Sequence, residues 1–157
     1  MKVTTLLLLV QGDPISQVLL GFKKVGFGKG KFTGIGGKVE KGETIEAATV
    51  REMREETSVV VKEKHLQFAG HITFFFPSKP DWNLTIHIFL THHWQGTPIE
   101  SNEIIPQWFH PNELPLDKMW ADASYWYHRV LSGEKIEATF TFHSDNETIN
   151  THQFHHE

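Results

Sequence analysis

Three glutamates, Glu52, Glu55 and Glu56, stand three and four residues apart in a segment that reads as a helix. At about 100° per residue they share an arc of roughly 100°. Ile45 begins the same stripe, whereas Val50 and Met53 point to another side and can supply a core face. Like charges at this spacing repel each other. Two arrangements tolerate that repulsion: a solvated acidic face, or a hard dication held between the carboxylates. Magnesium takes near-octahedral oxygen ligands and commonly keeps waters and substrate phosphates among them. A glycine-rich run from Gly21 to Gly37 lies just upstream and could bring backbone close to such an ion.

The elements that must position these carboxylates follow from local pattern. Val3 to Val10 is an apolar strand candidate, Gly12-Asp13-Pro14 a turn, and Gln17 to Lys23 a second strand. The stretch 21–37 reads as loop. Thr44 to Thr57 reads as a helix with Thr44 as N-cap. His65 to Phe76 and Leu84 to Trp94 are rich in β-branched and aromatic residues and read as strands. Ile104 to His110 is a short strand despite Pro106. Asp117 to Leu131 reads as a helix stopped by Ser132-Gly133. Ile136 to Phe142 and Thr148 to Phe154 read as a closing hairpin. Roughly seven strands and two helices predict an α+β fold, an α/β/α sandwich with helices packed on a mixed β-sheet.

The 157 residues suit one domain, 1–157, large enough to bury a core without disulfides. The net charge is −4, from 15 Lys+Arg and 19 Asp+Glu. That balance lacks the basic footprint of a nucleic-acid binder, though a polyphosphate can bind where metal bridges the charges. Without cysteine, thiol catalysis and Cys-type zinc sites are excluded. No stretch reaches the roughly 20 apolar residues that span a bilayer. The N-terminal apolar run is brief, lacks a cleavage site, and reads as a buried strand rather than a signal peptide. The expectation is a cytoplasmic monomer without membrane or nucleic-acid partner. The 11 histidines, His92-His93 and His155-His156 among them, form no tight motif and read as scattered surface residues.

Gly37, Glu43, Arg51, Glu52, Met53, Glu55, Glu56 and Val59 resemble the signature box of the Nudix hydrolase family in residue type and spacing. That resemblance implies the Nudix fold and a magnesium cofactor, with manganese as substitute. Glu52, Glu55 and Glu56 would bind the ions, helped by a carbonyl of Gly36 or Gly37. Arg51 would pair with Glu43 and brace the loop against the helix. Glu56 and Glu103 are both candidates for the base that deprotonates the attacking water, and Glu103 would also reach the metal. Glu103 equally fits a solvated acidic turn. Ser58 stands where the family pattern has glycine. Serine there costs about 1 kcal/mol if the backbone takes positive φ, but removes no ligand.

Beyond the box, the chain is similar to the MutT-type branch of that family, which acts on oxidised purine nucleoside triphosphates. Val18-Leu-Leu-Gly21, Gly26-Phe-Gly28, Gly34 to Val39, Gly42 to Glu46, Gln95 to Pro98, Glu100-Ser101 and Met119-Trp120 with Asp122 and Ser124-Tyr-Trp126 carry the likeness. It implies a hydrolase that cuts a nucleoside triphosphate into monophosphate and pyrophosphate and so sanitises modified purines such as 8-oxo-dGTP. Trp120 would stack on the purine, and Phe27, Phe74, Phe76, Leu84 and Trp126 would form the walls. Asp122 would read the base edge; Thr5, Lys23, Thr33 and Lys38 complete the substrate-contacting set. Phe74 and Phe76 fit a hydrophobic core equally well, and lone lysines fit a solvated surface. Two positions depart from the pattern: Ala123 replaces a second aspartate, and Thr33 replaces an asparagine. Both bear on base choice. A different diphosphate substrate, such as a dinucleotide polyphosphate or nucleotide sugar, and a non-catalytic nucleotide-binding module are the rival readings.

Overall fold

The computed structural model describes residues 1–156. Its centre is β1 (Lys2–Gln11), whose Leu6 to Val10 are buried throughout. A run apolar on both faces is what a central strand demands. β1 is flanked by β4 (Ile35–Lys38), antiparallel, and by β6 (Leu84–Thr91), parallel. The sheet continues through β5 (Gln67–Phe75), β8 (Ile136–Phe142) and β9 (Ile149–Phe154), in alternating antiparallel and parallel pairings. The last two residues of β1 turn away to pair with β2 (Gln17–Lys23), which also carries β3 (Phe32–Thr33) and β7 (Ile104–Phe109). β7 pairs only with β2, so Pro106 breaks no ladder on its free edge.

Alternation along β1 divides the core in two. Leu7 and Leu9 face α1 (Ile45–Thr57) together with Leu19, Ile35, Met53 and Phe89. Leu6, Leu8 and Val10 join the larger cluster around α2 (Ala123–Leu131), with Trp126, Tyr127 and Val130. The helices therefore cover opposite faces of a mixed sheet, the expected α/β/α sandwich.

The departures from the expected elements have local causes. Nine strands form among the described residues, because the glycine-rich stretch contributes β3 and β4 instead of remaining loop. α2 starts at Ala123, not Asp117; residues 116–118 form a separate 3-10 turn. Asp122 occupies the N-cap position without capping, because its carboxylate accepts the indole N–H of Trp126 at 2.8 Å. β5 begins at Gln67 after a 3-10 turn at residues 63–65, and β6 ends at Thr91.

Candidate active site

α1 is fixed at its start by Thr44, whose hydroxyl accepts from the Ala47 amide at 3.0 Å. Arg51, two turns into the helix, reaches back over the preceding loop. Its Nε and Nη2 donate to the two oxygens of Glu43 at 2.6 and 2.9 Å, and Nη2 also donates to the Lys38 carbonyl. The guanidinium beside Glu43 holds that carboxyl down at about 2, with the Glu40 amide adding to the effect. Nη1 meanwhile donates to Glu52 at 2.9 Å and Glu55 at 3.2 Å. The expected brace of Arg51 on Glu43 is thus a two-point clamp tying α1 to the loop after β4.

That clamp sets Glu52 against the backbone of β4. A side chain at Gly37 would come within 2.5 Å of the Glu52 carboxyl carbon, and one at Gly36 would overlap the Thr5 carbonyl. Only glycine permits either approach. Glu56 lies deeper, 3% exposed, and borders a cleft with Thr5, Lys23, Gly36, Gly37 and Lys38. Burial first, then the charge of Glu52, push Glu56 up to about 8 against the pull of Lys23, and the nearby Glu103 carboxyl adds to the rise. Burial likewise raises Glu52, with Arg51 opposing. Of the three helix glutamates, Glu56 borders the cleft and Glu52 lies against Gly37, with Glu103 arriving from the turn before β7. Glu55 is exposed and turned onto Arg51. Among the described residues, no three acidic or imidazole side chains converge on one point, so the expected six-membered ligand set is not gathered as a group. The Thr5 hydroxyl is engaged with Thr49 of α1, beneath the cleft.

The cleft opens into an aromatic pocket of about 440 Å³. Leu6, Phe27, Thr33, Leu84, Ile86 and Trp120 line both spaces. Phe27 lies on Trp120 with ring centroids 5.1 Å apart and planes 25° apart. Phe76 approaches Trp120 edge-on and stacks on Phe142 at 4.5 Å; Phe74 stacks on Phe140. Phe74 and Phe76 are thus core and pocket wall at once. Beside the indole N–H groups of Trp120 and Trp126, Thr33, Asp122 and Tyr127 bring polar side-chain groups to the lining. Burial pushes Asp122 up to about 6, opposed by the Trp126 N–H. Tyr127 accepts from the Gly34 amide and is pushed up to about 12 by its burial. Ala123 presents only a methyl group here.

Every pocket residue expected from the sequence (Phe27, Thr33, Phe74, Phe76, Leu84, Trp120, Asp122, Trp126) lines this pocket. Leu6, Ile86, Tyr127 and Phe142 were not singled out. Alternation along β1 and β6 could have found Leu6 and Ile86 as partners of Leu84. Phe142 and Tyr127 carry no local signal, since they come from β8 and α2.

The chain matches the NUDIX domain family over residues 2–130. It is 43% identical over 148 residues to the mouse (Mus musculus) protein named oxidized purine nucleoside triphosphate hydrolase, spanning 94% of this chain and 90% of that protein. The zebrafish (Danio rerio) protein of the same name is 42% identical over 141 residues, 90% of this chain and 86% of that one. Among solved structures, the mutator MutT protein from Bacillus halodurans superposes with a TM-score of 0.78 at 26% identity, covering 98% and 97% of the two chains. With its signature box folded into a braced loop and helix, and with these relatives along nearly its full length, the chain belongs to the Nudix family.

Proposed function

We propose that the protein is a divalent-metal-dependent hydrolase of modified purine nucleoside triphosphates, releasing monophosphate and pyrophosphate. One observation carries the reading: an aromatic pocket with one buried carboxylate opens directly onto a cleft bordered by Glu56, Lys23 and Lys38. A planar base and an anionic phosphate chain need those two environments side by side. The relatives named above as oxidized purine nucleoside triphosphate hydrolases support the choice of substrate.

The donor set fits a hard cation. Glu52, Glu56 and Glu103 supply oxygens only, the Gly36 and Gly37 backbone is bare of side chain, and burial, with like charge added, already raises Glu52 and Glu56. Opposite charge lowers a carboxyl pKa and relieves that mutual repulsion. These residues, joined by Glu55 once released from Arg51, would hold magnesium or manganese. Such an ion neutralises phosphate charge and makes a bound water more acidic.

The remaining work falls to the chain itself. Lys23 and Lys38 receive phosphate oxygens at the cleft wall. Glu56 or Glu103 takes the proton from the attacking water, whose oxygen bonds to the β phosphorus as the bond from that phosphorus to the α–β bridging oxygen breaks, so that the nucleoside monophosphate leaves and pyrophosphate is released. Trp120 stacks the base, with Phe27 packed on it as pocket wall; stacking itself tolerates any base. Selection falls to Asp122, whose Oδ2 accepts from Trp126 and whose carboxylate lines the pocket. Oxidation at C8 turns purine N7 from acceptor to donor, which a carboxylate rewards. The proposed substrates are free nucleotides of the cytoplasm, on which the protein acts as a monomer.

The test is turnover of dGTP, 8-oxo-dGTP, 2-oxo-dATP, O6-methyl-dGTP and ADP-ribose with magnesium, counting monophosphate, pyrophosphate and phosphate. Monophosphate with pyrophosphate, fastest from a modified purine and lost in Glu56→Gln, is expected. Equal rates for 8-oxo-dGTP and dGTP would remove the 8-oxoguanine preference. No turnover of any triphosphate would remove the reading as a whole.

A further inference from the structure

The end of β2 places two lysines on alternate sides of the strand. Lys23 faces the cleft and Glu56. Lys24 faces outward, onto the turn at residues 100–103 that carries Glu103. Its ammonium pairs with Glu100 and donates to the Ser101 carbonyl at 2.8 Å, while its backbone amide donates to the Glu103 carbonyl at 2.8 Å. The turn is closed within itself: the Ser101 hydroxyl accepts from the Glu103 and Ile104 amides, and the Ser101 amide donates to the Ile104 carbonyl. Glu103 is otherwise an exposed residue at the tip of a short turn, and exposed turns are mobile. Its contact with Glu56 therefore needs an anchor, and the anchor in the structure is Lys24 at one end and β7 at the other.

We propose that Lys24 is a positioning residue for the hydrolytic site: by gripping Glu100 and the Ser101 carbonyl, it holds the 100–103 turn so that Glu103 reaches Glu56. This rests on the reading of Glu103 as part of that site. A lone exposed ion pair contributes little to stability. The effect of Lys24 is therefore on where Glu103 sits, not on whether the protein folds. Groups that orient metal-binding side chains commonly matter by about 10–100-fold in affinity or activity.

The test compares Lys24→Met, Lys24→Arg and Glu103→Gln with the wild type. Three readouts are taken: binding of Mn2+ to the protein without nucleotide, followed by electron paramagnetic resonance of the free ion; amide exchange of residues 100–104 without metal; and kcat and KM for 8-oxo-dGTP at saturating magnesium. Lys24→Met is expected to weaken Mn2+ binding by about tenfold and to speed exchange in the turn. It should lower kcat with KM unchanged and keep Tm within about 4 °C. Lys24→Arg should restore most of each. If Glu103→Gln weakens Mn2+ binding and Lys24→Met does not, Glu103 keeps its role and the positioning by Lys24 falls. If Glu103→Gln leaves both binding and turnover intact, the reading of Glu103 falls and takes the proposal with it. Equal loss in Lys24→Met and Lys24→Arg, with Tm falling in both, would make the lysine merely structural and overturn it as well.

Discussion

Ser58 ends α1 at φ 69°, in the left-handed region where the family pattern has glycine. A side chain in that region costs roughly 1–2 kcal/mol, while glycine gives back about 0.4–1 kcal/mol through the freer unfolded chain. Ser58→Gly should therefore stabilise by about 0.5–1 kcal/mol, read from the denaturant midpoint, with activity unchanged. Asp122 makes a second residue-scale prediction. Folded, it binds its proton more tightly than its ordinary 3.8, up to about 6. Its contribution is thus fully present below 3.8 and is lost as pH rises through about 6. Asp122→Asn keeps an acceptor for Trp126 and has no charge to bury. Its Tm should rise relative to wild type between about pH 4 and about pH 8; parallel curves would refute the assignment. Ala123, 2% exposed in the pocket wall, makes the third. Ala123→Asp returns a hydrogen-bonding group to the base edge. It should raise the preference for 8-oxo-dGTP over dGTP by about tenfold, measured as the ratio of kcat/KM values. It should also lower Tm, because a second carboxylate is then buried.

At the scale of elements, the joint between α1 and the loop after β4 is the part most exposed to single substitutions. Arg51 alone bonds Glu43, Glu52, Glu55 and the Lys38 carbonyl. A lysine presents a point charge rather than a planar fork and cannot make those bonds together. Arg51→Lys should therefore cut kcat far more than it lowers Tm, because the Glu52 carboxylate loses its place against Gly37. The acid limb reports the same joint. Glu43 is held near 2 against its ordinary 4.5, so its contribution is present above 4.5 and is lost as pH falls toward 2. Glu43→Gln should flatten stability across that window, which acid unfolding followed by tryptophan fluorescence would show.

At the scale of the whole molecule, β1 belongs to two pairings at once, with β4 and β6 along most of its length and with β2 at its end. That divergence opens the cleft between the β2 branch and the rest of the sheet, and Glu56 borders it. Metal binding there acts on the folded state alone. At about a hundredfold excess over Kd, a ligand stabilises by about 2.7 kcal/mol, and Tm should rise by roughly 5–10 °C with magnesium. Chelator should reverse the shift and Glu56→Gln should shrink it. An unchanged melting curve would count against a metal site in the cleft.

The box and helix were legible in the sequence because they are local. Thr44 caps within one turn, Arg51 reaches Glu43 across eight positions, and the positive φ of Ser58 follows from where a helix must stop. The apolar run of β1 likewise announced a buried strand. Trp120 and Asp122 were legible through resemblance to a family, not through any periodicity. The short strands β3 and β4 were hidden, because glycine-rich segments carry no side-chain pattern and pair only when a neighbour such as β1 is already in place. The late start of α2 was hidden too, since only the packed Trp126 indole diverts the Asp122 carboxylate. Above all, the burial that raises Glu56 and the meeting of Phe76 with Phe142 depend on groups distant along the chain. Residue types and spacing determined which chemistry this protein carries. Tertiary structure decided which of those groups meet, because burial and through-space charge arise only once separate elements pack together.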